Sequence, residues 1–362
     1  KPIINLFQKN KKFSTFIFIT GMHLLKKYGS TYTQVIDENK KFSKIQFAKN
    51  QTSTRFQDQT IARTILVFSN YLKKIKPDIV VIHGDRAEAL AGSIVASLNN
   101  FLVLHIEGGE ISGTFDEHMR HAISKLSHLH FVANREAKSI LIKMGESKKK
   151  IFVVGSPDLD VKSSKDLPTI DKVKKRYKIF NGKYSIGIIH PDSFKKNKIN
   201  KLFNFYQKIL LKSKKKYILL YPNNDFGGDL LIKKLKNLNK KTKNIMLIKS
   251  MRFEYFLTLL KNSQFIIGNS SAGIREAPFY RIPTIDIGDR QKFRAKSKSI
   301  KNYSINEKIE KVLNYINKIN NVKFKKNFSY GRGKSIDKIS NIINKDFFWK
   351  TQIQKYFVHD NN

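Results

Sequence analysis

Asp85, Glu107 and Asp116 are the residues of this chain best placed for proton chemistry. Asp85 follows the apolar run at residues 79–82, and Glu107 follows residues 101–106. Asp116, with Glu117 beside it, lies in the next connection. Carboxylates gathered at strand ends can divide acid and base roles, because mutual repulsion and burial spread their pKa values. A plainer reading stands beside this one: Asp85 and Asp116 precede predicted helices and would serve as N-caps. His83, His105 and His190 also stand at or near strand ends. Three imidazoles can hold a metal, but their spacing matches no zinc signature and no metal is expected. His190, followed by Pro191, sets an imidazole at the lip of a second group of strands.

A second constellation occupies residues 265–294. An apolar run ends at Gly268, Asn269-Ser270-Ser271 follow, and a short helix is predicted from near Ile274. Small polar residues at a strand-to-helix junction aim N–H groups and hydroxyls outward, an arrangement suited to phosphate. Glu276, in the first turns of that helix, can accept from ribose hydroxyls. The alternative is an ordinary capped helix. Arginine is scarce, 12 residues against 58 lysines. A guanidinium kept in such a chain favours a fork-shaped contact such as a pyrophosphate, which singles out Arg86, Arg275, Arg290 and Arg294.

The elements that must carry these residues alternate. Strands are predicted at 16–20, 78–82, 101–106, 129–133 and 151–154, with helices at 59–74, 87–98, 118–126 and 135–144. Residues 40–58 read as an irregular surface connection, and the Lys-rich stretch 162–176 as a linker. The pattern then restarts, with strands at 185–189, 217–221, 245–248, 265–267 and 283–287 and helices between them. The tail at 336–357 reads as helical. This order predicts an α/β fold of two Rossmann-like, doubly wound parallel-sheet domains. Ligands of such folds sit at the carboxyl ends of the strands, where every motif above falls.

Composition narrows the chemistry. The chain has 362 residues, 40% of them hydrophobic, and no cysteine. Disulfides, thiolate metal sites and cysteine nucleophiles are therefore excluded. No apolar run approaches the roughly 20 residues of a membrane helix, no signal peptide is visible, and no membrane partner is expected. GxGxxG with a following acid, GxxxxGK[ST] and GxSxG do not occur, so no cofactor is expected. The net charge of +42 comes from 70 Lys and Arg against 28 Asp and Glu. Lysine spread among many Asn, Ile and Phe fits AT-rich codon usage better than nucleic-acid reading, and no specific nucleic acid is expected. A basic nucleic-acid-binding protein is the alternative on charge alone.

Six stretches together resemble a known family: HGDRAEALAG (83–92), HIEGGEISGTFDEHMRHAISKLSHLHFVAN (105–134), GSPDLDV (155–161), YPNNDFGGDL (221–230), MRFEYFLTLLKN (251–262) and GNSSAGIREAPFYRIPTIDIGDRQ (268–291). The family is that of the bacterial hydrolysing UDP-N-acetylglucosamine 2-epimerases, and the resemblance runs from Thr20-Gly21-Met22-His23 to the tail. It implies a GT-B-like pair of Rossmann-like domains facing a cleft: 1–165 carrying the catalytic carboxylates, 166–340 binding UDP, and 341–362 forming a helix that packs back on the first. It implies elimination of UDP to a 2-acetamidoglucal, followed by hydration to N-acetylmannosamine for sialic-acid synthesis. Asp85, Glu107, Asp116, Glu117 and His190 would then be catalytic. His23, Arg86, Ser270, Ser271, Gly273, Glu276 and Arg290 would bind UDP-N-acetylglucosamine or a related nucleotide sugar. A cytoplasmic homodimer or homotetramer is expected.

Two departures stand out. The family's opening strand and GTRAD-type loop precede a segment like Lys1-Pro2-Ile3, so by that spacing about 15 residues are expected ahead of this start. An inactive, truncated scaffold is the alternative this raises. The loop after His190-Pro191 reads Asp192-Ser193-Phe194, where small polar residues are usual, which bears on substrate choice. The rival substrate is a UDP- or GDP-linked 2,4-diacetamido-2,4,6-trideoxy sugar, and a third reading is the non-hydrolysing epimerase.

Overall fold

A computed structural model describes residues 1–39, 45–54, 56–162, 167–192, 195–294, 296–319, 322, 324–356 and 358. Its strands are β1 (Thr15–Ile19), β2 (Ile45–Lys49), β3 (Ile79–His83), β4 (Leu102–Ile106), β5 (Leu129–Val132), β6 (Ile151–Val153), β7 (Ser185–Ile188), β8 (Tyr217–Leu220), β9 (Ile245–Ile248), β10 (Ile266–Gly268), β11 (Thr284–Ile287) and β12 (Ile300–Tyr303). All pair in parallel, as short apolar runs joined by helices must. The chain forms two compact units: residues 1–111, 115–163 and 330–362 make the first, and residues 112–114 and 164–329 the second. Both are α/β units built on parallel sheet.

In the first unit β3-β4-β5-β6 lie side by side, and β1 and β2 form a ladder of their own. β4 is buried along its whole length. Alternate residues serve its two faces. Leu102, Leu104 and Ile106 pack with Ile339, Ile343 and Phe348 from the end of the chain. Val103 packs with Phe68, Leu72, Val95 and Ile123 on the other face. In the second unit the order is β12-β11-β10-β7-β8-β9. Consecutive strands run outward from the β7–β10 neighbours, so the order reverses between β7 and β10, where such sheets bind ligands.

Several expectations need correction. Residues 40–58 are not wholly irregular, because Ile45–Lys49 is β2, paired to β1; residues 40–44 and 55 lie outside the described residues. The linker stretch contains the helix Ile170–Tyr177, which the Thr169 side chain caps by accepting from the Lys172 amide. Residues 163–166 lie outside the described residues. β12, the helix Pro2–Lys9 and the helix Tyr32–Asn39 were not predicted. The tail is not one helix but Ser335–Ile343 and Asp346–Trp349, divided at Asn344-Lys345. Its last position, 357, lies outside the described residues. The segment grouped with the first unit begins at Tyr330.

The tail is tied down by charge. Lys355 Nζ donates to the carbonyls of Ser124, Lys125 and Ser127, the last turn of the helix Asp116–Leu126. The same ammonium lies 2.7 Å from Glu146 Oε2. Glu146 is buried and also meets Lys125 at 2.9 Å and His130 at 3.1 Å. Burial pushes its carboxyl up, but the His130 hydrogen bond and the Lys355 charge outweigh that and bring it to about 2. Glu146→Gln should therefore cost about 1–3 kcal/mol in chemical denaturation of the first unit, since both ammonium groups lose their charged partner while keeping carbonyl acceptors. Lys212→Met, in an exposed pair 3.8 Å from Glu310, should change stability by less than about 1 kcal/mol.

Candidate active site

The carboxyl ends of β3 and β4 carry the first group of side chains. Asp85 stands just past β3, before the helix Ala87–Leu98. It does not cap that helix: the N-cap residue is Arg86, and no side-chain cap hydrogen bond is made there. Its carboxylate is instead held by Arg120, whose Nε donates to Oδ2 at 3.0 Å and whose Nη2 makes a second, shorter contact. Arg120 is 2% exposed and also donates through Nη1 to the Glu110 carbonyl at 2.7 Å. The guanidinium thus ties the helix Asp116–Leu126 to the end of β3 and to the loop after β4.

Asp116 and Glu117 open that same helix. Phe115, not Asp116, is the N-cap residue, so the capping reading fails here too. Asp116 lies one turn before Arg120, on the same helix face. Glu117 meets His121 at 3.7 Å.

Glu107 directly follows β4 and is buried. Its φ is +67°, the left-handed region that a glutamate rarely occupies. Such strain persists only where neighbours impose it. The neighbours are clear. The Glu107 amide donates to the Phe131 carbonyl at 2.9 Å. Ser156 Oγ donates to Glu107 Oε1 at 2.6 Å. His83 Nε2 lies 3.3 Å from Oε2.

His105 supports both strand ends from beneath and is fully buried. Its Nε2 is 2.9 Å from the Gly84 carbonyl and its Nδ1 2.9 Å from the Ser124 hydroxyl. A carbonyl only accepts, so Nε2 carries the proton and Nδ1 accepts from Ser124. Burial holds this imidazole down at about 3, so the ring is neutral. It thereby fixes Gly84, whose φ of +82° turns the chain toward Asp85.

The second unit presents its residues in the same way. Gly268 ends β10 with a φ of +134°, and a Cβ there would lie 1.9 Å from the Ile188 carbonyl oxygen. Only glycine lets β10 approach β7 this closely. Asn269 then clamps His190: its Oδ1 accepts from the His190 amide at 2.7 Å and its Nδ2 donates to the His190 carbonyl at 2.9 Å. His190 Nδ1 accepts from the Asn223 amide at 3.2 Å, which leaves Nε2 as the ring's proton-bearing atom. Arg290, after β11, reaches Asp225, after β8, at 4.0 Å. Burial pushes Asp286 up to about 6, against the Asn302 hydrogen bond and the Arg290 charge, and burial raises Asp192 as well.

Ser270 and Ser271 stand where expected, but the helix after them, Ala272–Arg275, is a single turn. Ala272 donates to Ser270 Oγ at 3.3 Å, and the amides of Gly273, Ile274 and Arg275 close the turn on Ser270 and Ser271 carbonyls. A helix dipole therefore contributes little, and the Ser270 and Ser271 groups themselves are the donors on offer. Gly273 is required by packing, since a Cβ there would meet Thr284 Cγ2 at 2.6 Å. Glu276 is buried just after the turn. His23 lies exposed, 2.8 Å from the Thr31 hydroxyl. Ser193 and Phe194 lie outside the described residues.

Sequence reasoning passed over Arg120 and Ser156, and named Asn269 only as part of the polar junction, not as the clamp on His190. The scarcity argument applied to four other arginines should have flagged Arg120, four residues after Asp116. Nothing local distinguishes Ser156, whose partner is 49 residues away.

Comparison with known proteins adds a second line. Residues 5–344 match the family described as UDP-N-acetylglucosamine 2-epimerase. A UDP-N-acetylglucosamine 2-epimerase of Neisseria meningitidis is 39% identical over 362 residues, covering 99% of this chain and 94% of the relative. A UDP-N,N'-diacetylbacillosamine 2-epimerase (hydrolyzing) of Legionella pneumophila is 32% identical over 350 residues, covering 95% and 91%. The solved UDP-GlcNAc 2-epimerase of Methanocaldococcus jannaschii, in complex with UDP-GlcNAc and UDP, superposes with a TM-score of 0.70 at 20% identity, covering 91% of this chain and 99% of that one. That likeness concerns the fold.

The state of His105 makes a testable demand. Its folded pKa of about 3 lies below the ordinary 6.5, so as pH falls the unfolded chain takes up this proton first. Its contribution to stability is whole above about pH 6.5 and drains away down to about pH 3. His105→Asn should remove about one proton from the uptake on unfolding at pH 5, read as a shallower fall of Tm between pH 6.5 and 4. An unchanged slope would show that the ring is not held neutral.

Proposed function

From its place in the UDP-N-acetylglucosamine 2-epimerase family, to which this chain belongs, we propose that it is a hydrolysing UDP-N-acetylglucosamine 2-epimerase. The substrate is UDP-N-acetylglucosamine, and the products are UDP and N-acetylmannosamine. The observation that carries the reading is Glu107: a buried carboxylate held in left-handed backbone at a strand end, between a serine hydroxyl and an imidazole. Strained backbone with such partners marks a group whose position matters.

The chemistry proceeds in two stages. A carboxylate takes the proton from carbon 2 of the sugar. The electron pair of that bond forms the carbon 1–carbon 2 double bond while the bond from carbon 1 to the diphosphate oxygen breaks. UDP leaves with the electrons, and the sugar becomes 2-acetamidoglucal. Water then adds its hydroxyl to carbon 1, and a proton returns to carbon 2 on the opposite face. Glu107, Asp85 and Asp116 are the acids and bases, with Glu117 their neighbour. Arg120 holds the Asp85 side chain in place through its Nε and Nη2. Ser270, Ser271, Arg290 and the His190 Nε2–H meet the diphosphate, Glu276 meets the ribose, and Arg86 and His23 complete the contacts. Assignment of the catalytic carboxylates to the first unit and of UDP binding to the second, and a homodimeric or homotetrameric assembly, belong to this reading.

A second reading, hydrolysis of a nucleotide-linked 2,4-diacetamido sugar, rests on the 32% identity to the Legionella relative. Incubation with UDP-N-acetylglucosamine in D2O, followed by NMR, separates them. The expected outcome is free N-acetylmannosamine with deuterium at carbon 2 and an equal amount of UDP. Retained UDP on the epimer would indicate a non-hydrolysing enzyme, and turnover of the diacetamido sugar alone would favour the second reading. Glu107→Gln should lower kcat by about 10²–10⁴-fold, the usual worth of a general acid or base, and leave UDP affinity nearly unchanged.

A further inference from the structure

The two oxygens of Glu107 have unlike surroundings. Oε1 accepts from Ser156 Oγ at 2.6 Å, and Ser156 is fully buried. Oε2 faces His83, whose side chain is 43% exposed, at 3.3 Å. We propose that Ser156 is a positioning residue that pins Oε1 of Glu107 and so sets the orientation of this carboxylate beside His83. This rests on the reading of Glu107 as an acid or base of the epimerase.

Ser156 is itself held from the far end of the chain. Its amide donates to the Tyr330 carbonyl at 2.8 Å. Its carbonyl accepts from Ser335 Oγ at 2.9 Å. The Ser335 hydroxyl also touches Asp160 Oδ1. Asp160 accepts from the Ser335 amide at 3.1 Å and the Ile336 amide at 2.7 Å, satisfying the first turn of the helix Ser335–Ile343. Gly155 and Gly331 approach so closely that a Cβ on Gly331 would sit 3.1 Å from the Gly155 Cα. Ser156 cannot turn away without dislodging this strap. A hydroxyl so fixed holds one carboxylate oxygen in place, and the glutamate side chain gives up its rotamer freedom once, on folding, rather than in each turnover. Geometry of the acid–base group is then set by residues 330–336, some 220 positions away in sequence but packed against it in the same unit.

The serine hydroxyl donates to the charged carboxylate, so its removal should make Glu107 harder to ionise. Ser156→Ala should lower kcat by about 10- to 100-fold, the range of one lost hydrogen bond to a charged group, with KM within about twofold. The titration of Glu107, followed by NMR in protein carrying ¹³C-labelled glutamate and assigned with Glu107→Gln, should move to higher pH. Val95→Ala, a core position of the same unit away from this strap, serves as the control for a purely structural effect: it should lower Tm and leave the Glu107 titration close to that of the unchanged protein. An unmoved titration in folded Ser156→Ala, or a kcat within about twofold of the unchanged protein, overturns the proposal. The titration needs no turnover. If the unchanged protein fails to convert UDP-N-acetylglucosamine, the functional reading falls, while the NMR result still decides whether Ser156 governs Glu107.

Discussion

A guanidinium taken out of water costs several kcal/mol unless anions and carbonyls meet it. Arg120 is fully buried, and the first unit is arranged to meet it: Asp85 from the end of β3 takes two of its N–H groups and the Glu110 carbonyl takes another. The consequence is geometric. The helix that begins with Asp116 cannot slide or roll without breaking a fork, so its first turn, the end of β3 and the loop after β4 are fixed relative to one another. His105 does the same from below with neutral hydrogen bonds, joining Gly84 to Ser124 on that helix. Lys355 holds the other end of the helix through its last carbonyls. One helix is thus pinned at the start, middle and end by polar contacts that break if it moves.

The second unit joins its strand ends mainly through an amide side chain. Asn269 joins β10 to β7 through a pair of amide hydrogen bonds to the His190 backbone, and its own carbonyl accepts from Gln291 at 2.8 Å. The His190 backbone is therefore already satisfied, and its ring is held in place before any ligand arrives.

Much of this was legible in the sequence. The alternation of short apolar runs with helical stretches gave the parallel sheets, because a strand buried on both faces has to be apolar throughout. The strand-end motifs were legible for the same reason: polarity that returns abruptly after such a run must lie at its carboxyl end. What stayed hidden depended on pairing. β2 went unseen because Ile45–Lys49 is a half-covered strand that, among the described residues, pairs with β1 alone. β12 went unseen because Ile300–Tyr303 alternates weakly at the edge of its sheet. The capping explanations for Asp85 and Asp116 were sound local chemistry, and they failed because Arg120 outcompetes a backbone amide for Asp85 and because Phe115 occupies the cap of the other helix.

By itself the sequence determined which residue types stand at which strand ends, the absence of thiol chemistry and the class of fold, since these follow from local order and composition. Only the tertiary structure decided which oxygen of Glu107 accepts from Ser156, which nitrogen of His105 carries the proton, and that residues 330–336 pack against Ser156. The physical reason is range. Periodicity and capping act over a few residues, whereas a hydrogen bond is made by whatever folding brings within about 3 Å, and its partner can come from anywhere in the chain.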